Sequence, residues 1–266
     1  MFTNFYLLLI LSEIKAILER MLFSKIFKKE EPSNNSFEWL QADMHSHLLP
    51  GIDDGSPDMN TSLELIKGFK ELGYKKIITT PHILWEIYPN TADIILKKLE
   101  EVRKEISNAG IDIEFYAAAE YFINDHFAQQ LENKIPLLTI SGNMVLVEFS
   151  MLNMPMDLQE VLFEMQMQNY QPVLAHPERY TSLLRKKEFF DQLKDSGCYF
   201  QMNLLSLSGH YGDDVQKLAE YLLKKNYCDL VGTDLHHTRH LSLLKKIPSS
   251  QLKRLQDSGT IKNHLL

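Results

Sequence analysis

Cysteine is nearly absent from this chain, whose 266 residues include only Cys198 and Cys228. So few cysteines exclude a disulfide framework, and we expect two buried thiols in a protein of the reducing cytoplasm. They also argue against thiol-based phosphate chemistry, because a cysteine-dependent phosphatase needs an arginine six residues after its nucleophile. Those two positions hold Leu204 and Asp234.

An excess of positive charge is also missing. The 28 lysine and arginine residues are outnumbered by 35 acidic residues, which gives a net charge of -7. A general nucleic-acid binder needs lysine and arginine to neutralise phosphates, so we expect no nucleic-acid partner. An acidic site that binds cations fits this charge better.

No apolar run of membrane-spanning length occurs near the N-terminus. The run from Phe5 to Leu11 ends at Ser12, whereas a bilayer requires about 20 apolar residues. No basic residue precedes the run and no small-residue cleavage site follows it, which argues against a signal peptide. We expect residues 1–36 to form an extension or linker without stable membrane insertion, and residues 37–266 to form a single domain.

From Phe37 onward, short β-branched or aromatic runs alternate with longer stretches of helical period. This alternation is typical of βα units around a parallel sheet. The clearest helices are predicted at Met59 to Leu72 and at Ala92 to Asn108, where Gly110 follows as a stop signal. Seven strands are predicted, at Leu40 to His45, Lys76 to Pro81, Glu114 to Glu120, Met144 to Phe149, Pro172 to His176, Tyr199 to Asn203 and Asp229 to Asp234.

Nearly every predicted strand ends in a side chain that can bind a metal. In parallel βα barrels the C-terminal ends of the strands meet at one mouth, so these side chains are expected to converge there. An open doubly wound sheet would place its site at one crevice and explains this even distribution less well. We therefore predict an α/β fold, a distorted (βα)7 TIM-like barrel, with candidate ligands His45, His47, His82, Glu120, Glu148, His176, Asp234 and His236.

The strongest local motif is Asp43-Met-His45-Ser-His47 at the end of the first predicted strand. Side chains alternate along a strand, so the two imidazoles project the same way and can bind one cation. Asp43 shares their face and is expected either to bind the metal or to orient an imidazole. The alternative is a set of ordinary polar residues near a turn.

Two glutamates close strongly apolar segments. Glu120 follows Phe115-Tyr-Ala-Ala-Ala, and Glu148 follows Val145-Leu-Val. An unpaired buried carboxylate is costly, so each needs a cation or a strong hydrogen-bond donor. We predict that both bind metal, and a glutamate can bridge two ions through its two oxygens; a buried ion pair is the alternative.

Further polar residues follow other strands. The loop from Leu49 to Gly55 can carry an aspartate over the mouth, although Asp-Asp-Gly alone is also a common turn. Arg179 follows His176 by three residues, and its planar guanidinium suits a phosphate, unless it pairs with Glu178 or caps a helix. The remaining histidines are expected to be surface or structural residues: His126, His210, His237, His240 and His264.

A ligand set of histidine, aspartate and glutamate without cysteine favours manganese, iron or zinc. Seven to nine candidate ligands exceed the needs of one ion, so two or three metals are expected. Paired metals would generate hydroxide from water for attack on phosphorus, and Arg179 would offset charge on the phosphoryl group.

The order of these motifs resembles the PHP (polymerase and histidinol phosphatase) superfamily. More narrowly, it resembles bacterial manganese-dependent protein-tyrosine phosphatases that act in capsule and exopolysaccharide synthesis. The resemblance covers about residues 40–245, and its most specific parts are Leu49 to Gly55 and Ala175 to Tyr180. Such proteins usually begin near the His-x-His strand, so the extra segment is expected to be either an upstream start before Met21 or a membrane-proximal anchor.

The resemblance implies a distorted seven-stranded barrel with three manganese ions. It assigns His45, His47, Glu120 and Asp234 to one metal. A second metal is assigned to Glu120, Glu148 and His176, and a third to Asp54, His82 and His236. The catalytic residues expected on this basis are Arg179, His236 and Asp54, and the expected substrate is a phosphotyrosine in the tail of a bacterial tyrosine kinase.

Two alternatives remain open from the sequence. The same site would suit a small-molecule phosphatase of the histidinol phosphate type, and a non-catalytic module that binds a kinase would keep its metals for structure. The sequence leaves the oligomeric state open, including a homo-oligomer.

Overall fold

A computed structural model describes residues 36–266 of the chain. The extension predicted for residues 1–36 therefore lies outside the described residues, apart from Ser36. Among the described helices, none combines the length and apolarity needed to cross a bilayer.

The structure is an α/β fold whose paired strands all run parallel. Three strands form one sheet in the order β1-β2-β4, and six form another in the order β3-β5-β6-β7-β8-β9. The strands are β1 (Ala42–Asp43), β2 (Lys76–Thr79), β3 (His82–Ile83), β4 (Glu114–Ala117), β5 (Glu120–Phe122), β6 (Met144–Glu148), β7 (Gln171–Ala175), β8 (Tyr199–Asn203) and β9 (Leu230–Gly232).

Hydrogen bonds continue from one sheet to the other. The Ala118 N–H donates to Thr79 O at 2.9 Å, and the Glu120 N–H donates to Pro81 O at 3.0 Å, so β4 and β5 follow the path of β2 and β3. At the other edge, the Asp234 N–H donates to His45 O at 2.8 Å, beyond the ends of β9 and β1. Both sheets therefore share one continuous ladder.

Each of the seven predicted strands overlaps an observed strand, but two predictions need correction. The segment from Glu114 to Glu120 is two strands, β4 and the start of β5, with Ala118 and Ala119 between them. His82–Ile83 is a short strand that was not predicted. Pro81 has no N–H to donate, so the regular pairing of β2 ends before Pro81 and resumes in β3, where His82 pairs with Glu120.

The two predicted helices are confirmed, with ends within one residue of the prediction. Side-chain caps fix their starts: Asp58 accepts a hydrogen bond from Thr61 N at 2.8 Å, and Thr91 accepts one from Ile94 N. The α-helices are α1 (Met59–Glu71), α2 (Ala92–Asn108), α3 (Asp125–Glu132), α4 (Leu158–Met167), α5 (Glu188–Asp195), α6 (Asp213–Lys224), α7 (Thr238–Leu244) and α8 (Ser249–Asp257). Short 3-10 helices span Glu38–Leu40, Pro177–Arg179, Thr181–Leu183, Leu204–Ser206 and Asn263–Leu265.

The strands are apolar on both faces. Ile77 and Leu174 belong to the large core that includes the helices. Their neighbours Ile78 and Val173 belong to a second, smaller cluster with Leu146. Since successive side chains of a strand point to opposite faces, the ladder is packed on both sides, as parallel strands require. This leaves the strand ends as the place for polar side chains.

Candidate metal centre

A pocket of about 430 Å³ opens where the strands end. Seven of the predicted ligands and Arg179 line it, and the other two, His45 and His47, lie buried beneath it against Glu120. All nine predicted ligands are therefore brought together. The pocket is lined by Asp54, His82, Glu120, Glu148, Met151, His176, Arg179, Tyr211, Asp234, His236, His237 and His240.

The deepest group joins His45, His47, Glu120 and Asp234. The Nε2 atom of His45 lies 3.2 Å from Glu120 Oε2, 3.5 Å from Asp234 Oδ1 and 3.4 Å from His47 Nε2. The Nε2 atom of His47 lies 3.5 Å from each of the same two oxygens. Ligands about 2.1 Å from a shared ion stand roughly 3.0–3.5 Å apart. These four atoms are therefore spaced like the ligands of one cation.

A second group uses the other oxygen of Glu120. Glu120 Oε1 lies 3.2 Å from Nε2 of His176, which is also 3.8 Å from Glu148 Oε2. The other oxygen of Glu148 lies 3.0 Å from Nδ1 of His82. The two oxygens of Glu120 thus face different imidazoles, which is the arrangement that a bridging carboxylate requires.

A third group lies at the mouth of the pocket. Asp54 Oδ1 is 3.5 Å from Nε2 of His82 and 3.5 Å from Nε2 of His236. The Asp54 side chain is 52% exposed, whereas the histidine side chains are 15% and 16% exposed. Water and a ligand from solution therefore have more direct access to this group than to the two deeper groups.

The donor set fits divalent cations. Within residues 36–266, both oxygens of Glu120 are buried without a hydrogen-bond partner. Imidazole nitrogens lie 3.1–3.5 Å from these oxygens. A buried carboxylate without a partner is costly, and cations would satisfy both oxygens.

The charges of these groups are strongly coupled. Burial alone would lower the pKa of His45, but the carboxylates of Glu120 and Asp234 outweigh burial and raise it to about 9. Burial would raise the pKa of Glu120, but His45 and His82 hold it well below its usual range. Protons and metal ions therefore compete for the same imidazole nitrogens, and metal affinity should fall as the pH falls.

Arg179 lies beside the deepest group. Its guanidinium donates to Asp234 Oδ2 at 2.9 Å and lies 4.9 Å from the centre of the Tyr211 ring. The alternative pairing of Arg179 with Glu178 is wrong. Glu178 is buried instead, where Oε1 accepts hydrogen bonds from Asn203 N and Ser206 Oγ. The guanidinium is thus held at the pocket wall next to the candidate ligands.

Residues 41–252 match the model of a protein family described as capsular polysaccharide synthesis, CpsB/CapC. This chain belongs to the CpsB/CapC family.

Known relatives extend this assignment. This chain is 30% identical to tyrosine-protein phosphatase CpsB of Streptococcus agalactiae serotype III, over 73% of this chain and 82% of the relative. It is 26% identical to tyrosine-protein phosphatase YwqE of Bacillus subtilis, over 74% and 78% of the two chains.

Solved structures give the same picture. Crystal structures of YwqE from Bacillus subtilis and CpsB from Streptococcus pneumoniae are described as unique metal-dependent tyrosine phosphatases. The match to these structures has a TM-score of 0.72 at 25% identity and covers 81% of this chain and 86% of the other. An amidohydrolase from Mycoplasma synoviae shares the fold, with a TM-score of 0.50 at 13% identity over 88% and 89% of the two chains.

Asp53 and Gln201 orient the two deep histidines, and the sequence did not single out either of them. Asp53 Oδ2 accepts from Nδ1 of His47 at 2.8 Å, and Gln201 Oε1 contacts Nδ1 of His45 at 2.7 Å. Each contact leaves Nε2 free to face the metal group, since the two ring nitrogens have separate roles. The Asp-Asp doublet was a usable signal for Asp53, whereas Gln201 lies within β8 and carried no strand-end signal.

Replacing Asp53 with asparagine is expected to weaken metal binding. The variant keeps the size of the side chain but loses the carboxylate that holds His47, and loss of such a partner costs about 10- to 100-fold in metal affinity. Metal titration by calorimetry on stripped protein measures the effect. Asp112→Asn, at an exposed position, is the control, and equal affinities in the two variants would contradict this role of Asp53.

Asp43 was expected to bind the metal or to orient an imidazole, and within residues 36–266 it belongs to no candidate metal group and hydrogen-bonds to no imidazole. Its Oδ1 atom accepts a hydrogen bond from Thr233 N at 2.8 Å, because the backbone after β9 passes beside β1. Burial raises the pKa of Asp43 to about 7, although the hydrogen bond from Thr233 opposes the shift. Asp43 thus ties the last strand to the first beneath the metal groups.

Two of the histidines expected to be surface or structural residues also reach the pocket, and His237 is exposed there as expected. His237 and His240 line the pocket, and their ring centres are 4.0 Å apart. Helix α7 begins at Thr238, two residues after His236, and His240 in its first turn reaches the mouth of the pocket. His126 is structural, since its ring stacks on Trp85 at 4.4 Å.

The backbone is unusual at two candidate ligands. His176 has a φ of 34° and Asp234 a φ of 50°, both in the left-handed region that non-glycine residues rarely adopt. Such residues cost free energy and cluster at functional sites. His176 follows β7 directly, and Asp234 lies two residues after β9. At both positions the left-handed backbone turns the side chain into the pocket.

Replacing Gly232 with alanine is expected to disturb the deepest group. An added Cβ would lie 2.6 Å from Cβ of His45, too close without a backbone shift. Overpacking of this kind costs about 1–3 kcal/mol, and it should also reduce bound metal. Urea unfolding and elemental analysis measure the two effects. Gly68→Ala is the control, because its Cβ meets only the flexible end of Leu241, so a full metal content in both variants would contradict the prediction.

Proposed function

We propose that this protein is a metal-dependent protein-tyrosine phosphatase. The observation that carries the proposal is the bridging position of Glu120 between imidazole groups, with Arg179 at the wall of the same pocket. A phosphate monoester needs positive charge on several sides, and this pocket offers cation ligands and a guanidinium together. The tyrosine phosphatase names of the relatives support the choice of substrate.

We infer a distorted (βα)7 barrel of the PHP type for the fold and a single phosphatase domain for residues 37–266. The hydrogen bond from Asp234 N to His45 O supports closure of the last strand on the first. Residues 36–266 contain nine short strands. If β2 with β3, and β4 with β5, are each counted as one interrupted strand, seven strands remain. Residues 1–36 are proposed as an extension outside that domain.

We assign three ions, with manganese first and iron or zinc as the alternatives. His45, His47, Glu120 and Asp234 would hold one; Glu120, Glu148 and His176 a second; and Asp54, His82 and His236 a third. The ligand atoms of neighbouring sets also lie close together, since His47 approaches the third set and His82 approaches Glu120 and Glu148. When bound, the ions would make hydroxide available near neutral pH and neutralise the phosphoryl charge.

The chain's own residues would guide the phosphate and the leaving group. Arg179 would turn its fork of N–H donors from Asp234 to the phosphoryl oxygens, because the guanidinium is only partly buried at the wall. When its Nε2 atom is not bound to the third ion, His236 at the mouth would donate a proton to the leaving phenolate, whose pKa is about 10. Asp54 Oδ1 lies 3.5 Å from His236 Nε2 at the same mouth and would help to hold the imidazole in place.

The substrate that we propose is a phosphotyrosine in the tail of a bacterial tyrosine kinase that controls capsule or exopolysaccharide synthesis. The family description supports the link to capsule synthesis. The buried free thiols of Cys198 and Cys228 support a cytoplasmic location, where such a tail and a reduced protein would meet.

Turnover of a phosphotyrosine peptide by purified protein tests the proposal. Chelation should abolish turnover, and added manganese should restore it, with iron and zinc compared in parallel. Histidinol phosphate serves as the competing substrate, and His45→Ala as the variant expected to lose both metal and activity. Preference for histidinol phosphate, or full metal content without turnover of either substrate, would overturn the proposal.

A further inference from the structure

Exposed apolar side chains concentrate in two loops that follow candidate ligands. Residues 84–88 come shortly after His82 and expose Trp85 by 47% and Ile87 by 63%. Residues 150–157 come shortly after Glu148 and expose Leu152 by 82% and Met156 almost completely. Together with Met154, these four side chains are called the apolar rim.

The two loops lie side by side. They leave β3 and β6, which flank β5 in the sheet, and all three strands run parallel, so the loops emerge at the same end. The segment after β5 connects them: the Ile123 N–H donates to Glu148 O at 2.8 Å, and the Asn124 side chain donates to Glu86 Oε2 at 3.0 Å. The apolar rim is therefore one surface.

The apolar rim is continuous with the pocket. Met151, in the second loop, lines the pocket directly. In the first loop, the ring of Tyr88 stacks on the ring of His82 at 5.7 Å. The nearby Asn90 side chain donates to His82 O at 2.8 Å and anchors the end of the same loop. A chain that leaves the pocket on this side therefore crosses the apolar rim.

The composition of the rim suits apolar side chains. From Phe149 to Met156 there is no charged residue, and three of the side chains are methionines, which adapt to partners of varied shape. Trp85 is held flat on His126, so it presents a fixed aromatic face. An apolar surface beside a site marks a place of interaction rather than a chance exposure.

We propose that the apolar rim binds aliphatic or aromatic side chains that flank the phosphotyrosine of a protein substrate. The inference rests on the proposed function and adds a basis for substrate choice. We favour the polypeptide that carries the phosphotyrosine as the occupant, because the second loop of the rim reaches the pocket through Met151. The occupant is therefore the substrate polypeptide.

The test compares two substrates on the full chain. One is a phosphotyrosine peptide with leucine and phenylalanine on both sides of the phosphotyrosine, and the other is p-nitrophenyl phosphate, which reaches only the pocket. In the double variant Leu152→Ser and Met156→Ser, KM for the peptide should rise about tenfold or more. The kcat/KM for p-nitrophenyl phosphate should stay unchanged.

Two controls sharpen the comparison. A peptide with glycine and serine flanks should show the same KM with the wild type and the variant. The double variant Phe163→Ser and Met167→Ser removes apolar side chains of similar exposure from α4, outside the pocket lining, and should leave both substrates unaffected.

Several results would overturn the inference. An equal loss on both substrates would mean that the loop supports the pocket, and a rise in peptide turnover would mean that another segment of this chain covers the rim. A changed oligomeric state by light scattering, with an unchanged peptide KM, would identify a second copy as the occupant. A wild type inactive on every phosphate ester would instead overturn the proposed function.

Discussion

Replacement of Glu120 by glutamine is expected to cause the largest loss of metal and of activity. The amide keeps the shape of the side chain but lacks the charge that faces imidazoles of two groups. Loss of a partner that only orients a ligand costs about 10- to 100-fold, so loss of the shared ligand should reduce turnover by more than about 100-fold. Elemental analysis should show fewer ions than in the wild type.

A matched control separates the metal effect from a folding effect. Glu114→Gln makes the same change on β4, one strand segment before Glu120, at an exposed position. It should keep full metal content and turnover. Circular dichroism of both variants should match the wild type, since glutamine fills the same volume. A Glu120→Gln protein with the wild-type number of ions would show that Glu120 does not bridge.

The convergence of the candidate ligands could be predicted because each candidate leaves a local mark on the sequence. Glu120 and Glu148 follow segments too apolar for an exposed strand, and both are buried in the structure. The C-terminal ends of parallel strands lie together. A polar residue at the end of each strand is therefore enough to predict that these residues share one site. Convergence thus follows from the topology and not from any single motif.

The supporting residues could not be predicted in the same way. Gln201 reaches His45 from the middle of β8, and Asn203 donates to Asp234 at 2.7 Å, although neither is a ligand type that stands out in a strand. Their roles depend on which strands are neighbours in the sheet and on the register in which those strands pair. Neither can be derived from the sequence alone. Asp43 shows the same limit, because its partner Thr233 is 190 positions away.

The direction that the chain takes after each strand could not be predicted from the sequence either. The left-handed conformation at His176 and Asp234 turns each side chain into the pocket, and no sequence rule predicts it for histidine. The turn after Asp234 also brings His237 and His240 to the mouth, where sequence alone suggested surface positions. Local motifs therefore indicate the candidate ligands, whereas the turns that follow them decide which other side chains line the pocket.

Substitution of Arg179 by lysine is expected to reduce kcat/KM by about 100- to 1,000-fold, as loss of one donor to a transition-state oxyanion does. Lysine keeps the positive charge but cannot present two parallel N–H donors to a phosphoryl group. It also loses the planar contact with the Tyr211 ring. Metal content should remain at the wild-type level, because the change leaves every candidate ligand in place.

Inhibition by inorganic phosphate distinguishes this role from a structural one. If Arg179 binds the phosphoryl group, the lysine variant should need a much higher phosphate concentration for half inhibition. If Arg179 only holds Asp234 through the 2.9 Å contact, metal affinity should fall while inhibition by phosphate stays unchanged. Arg185→Lys, at an exposed position a few residues further along the chain, should behave as the wild type in both measurements. Full activity of the Arg179→Lys variant would exclude bidentate phosphate binding and leave the bound cations as the phosphate clamp.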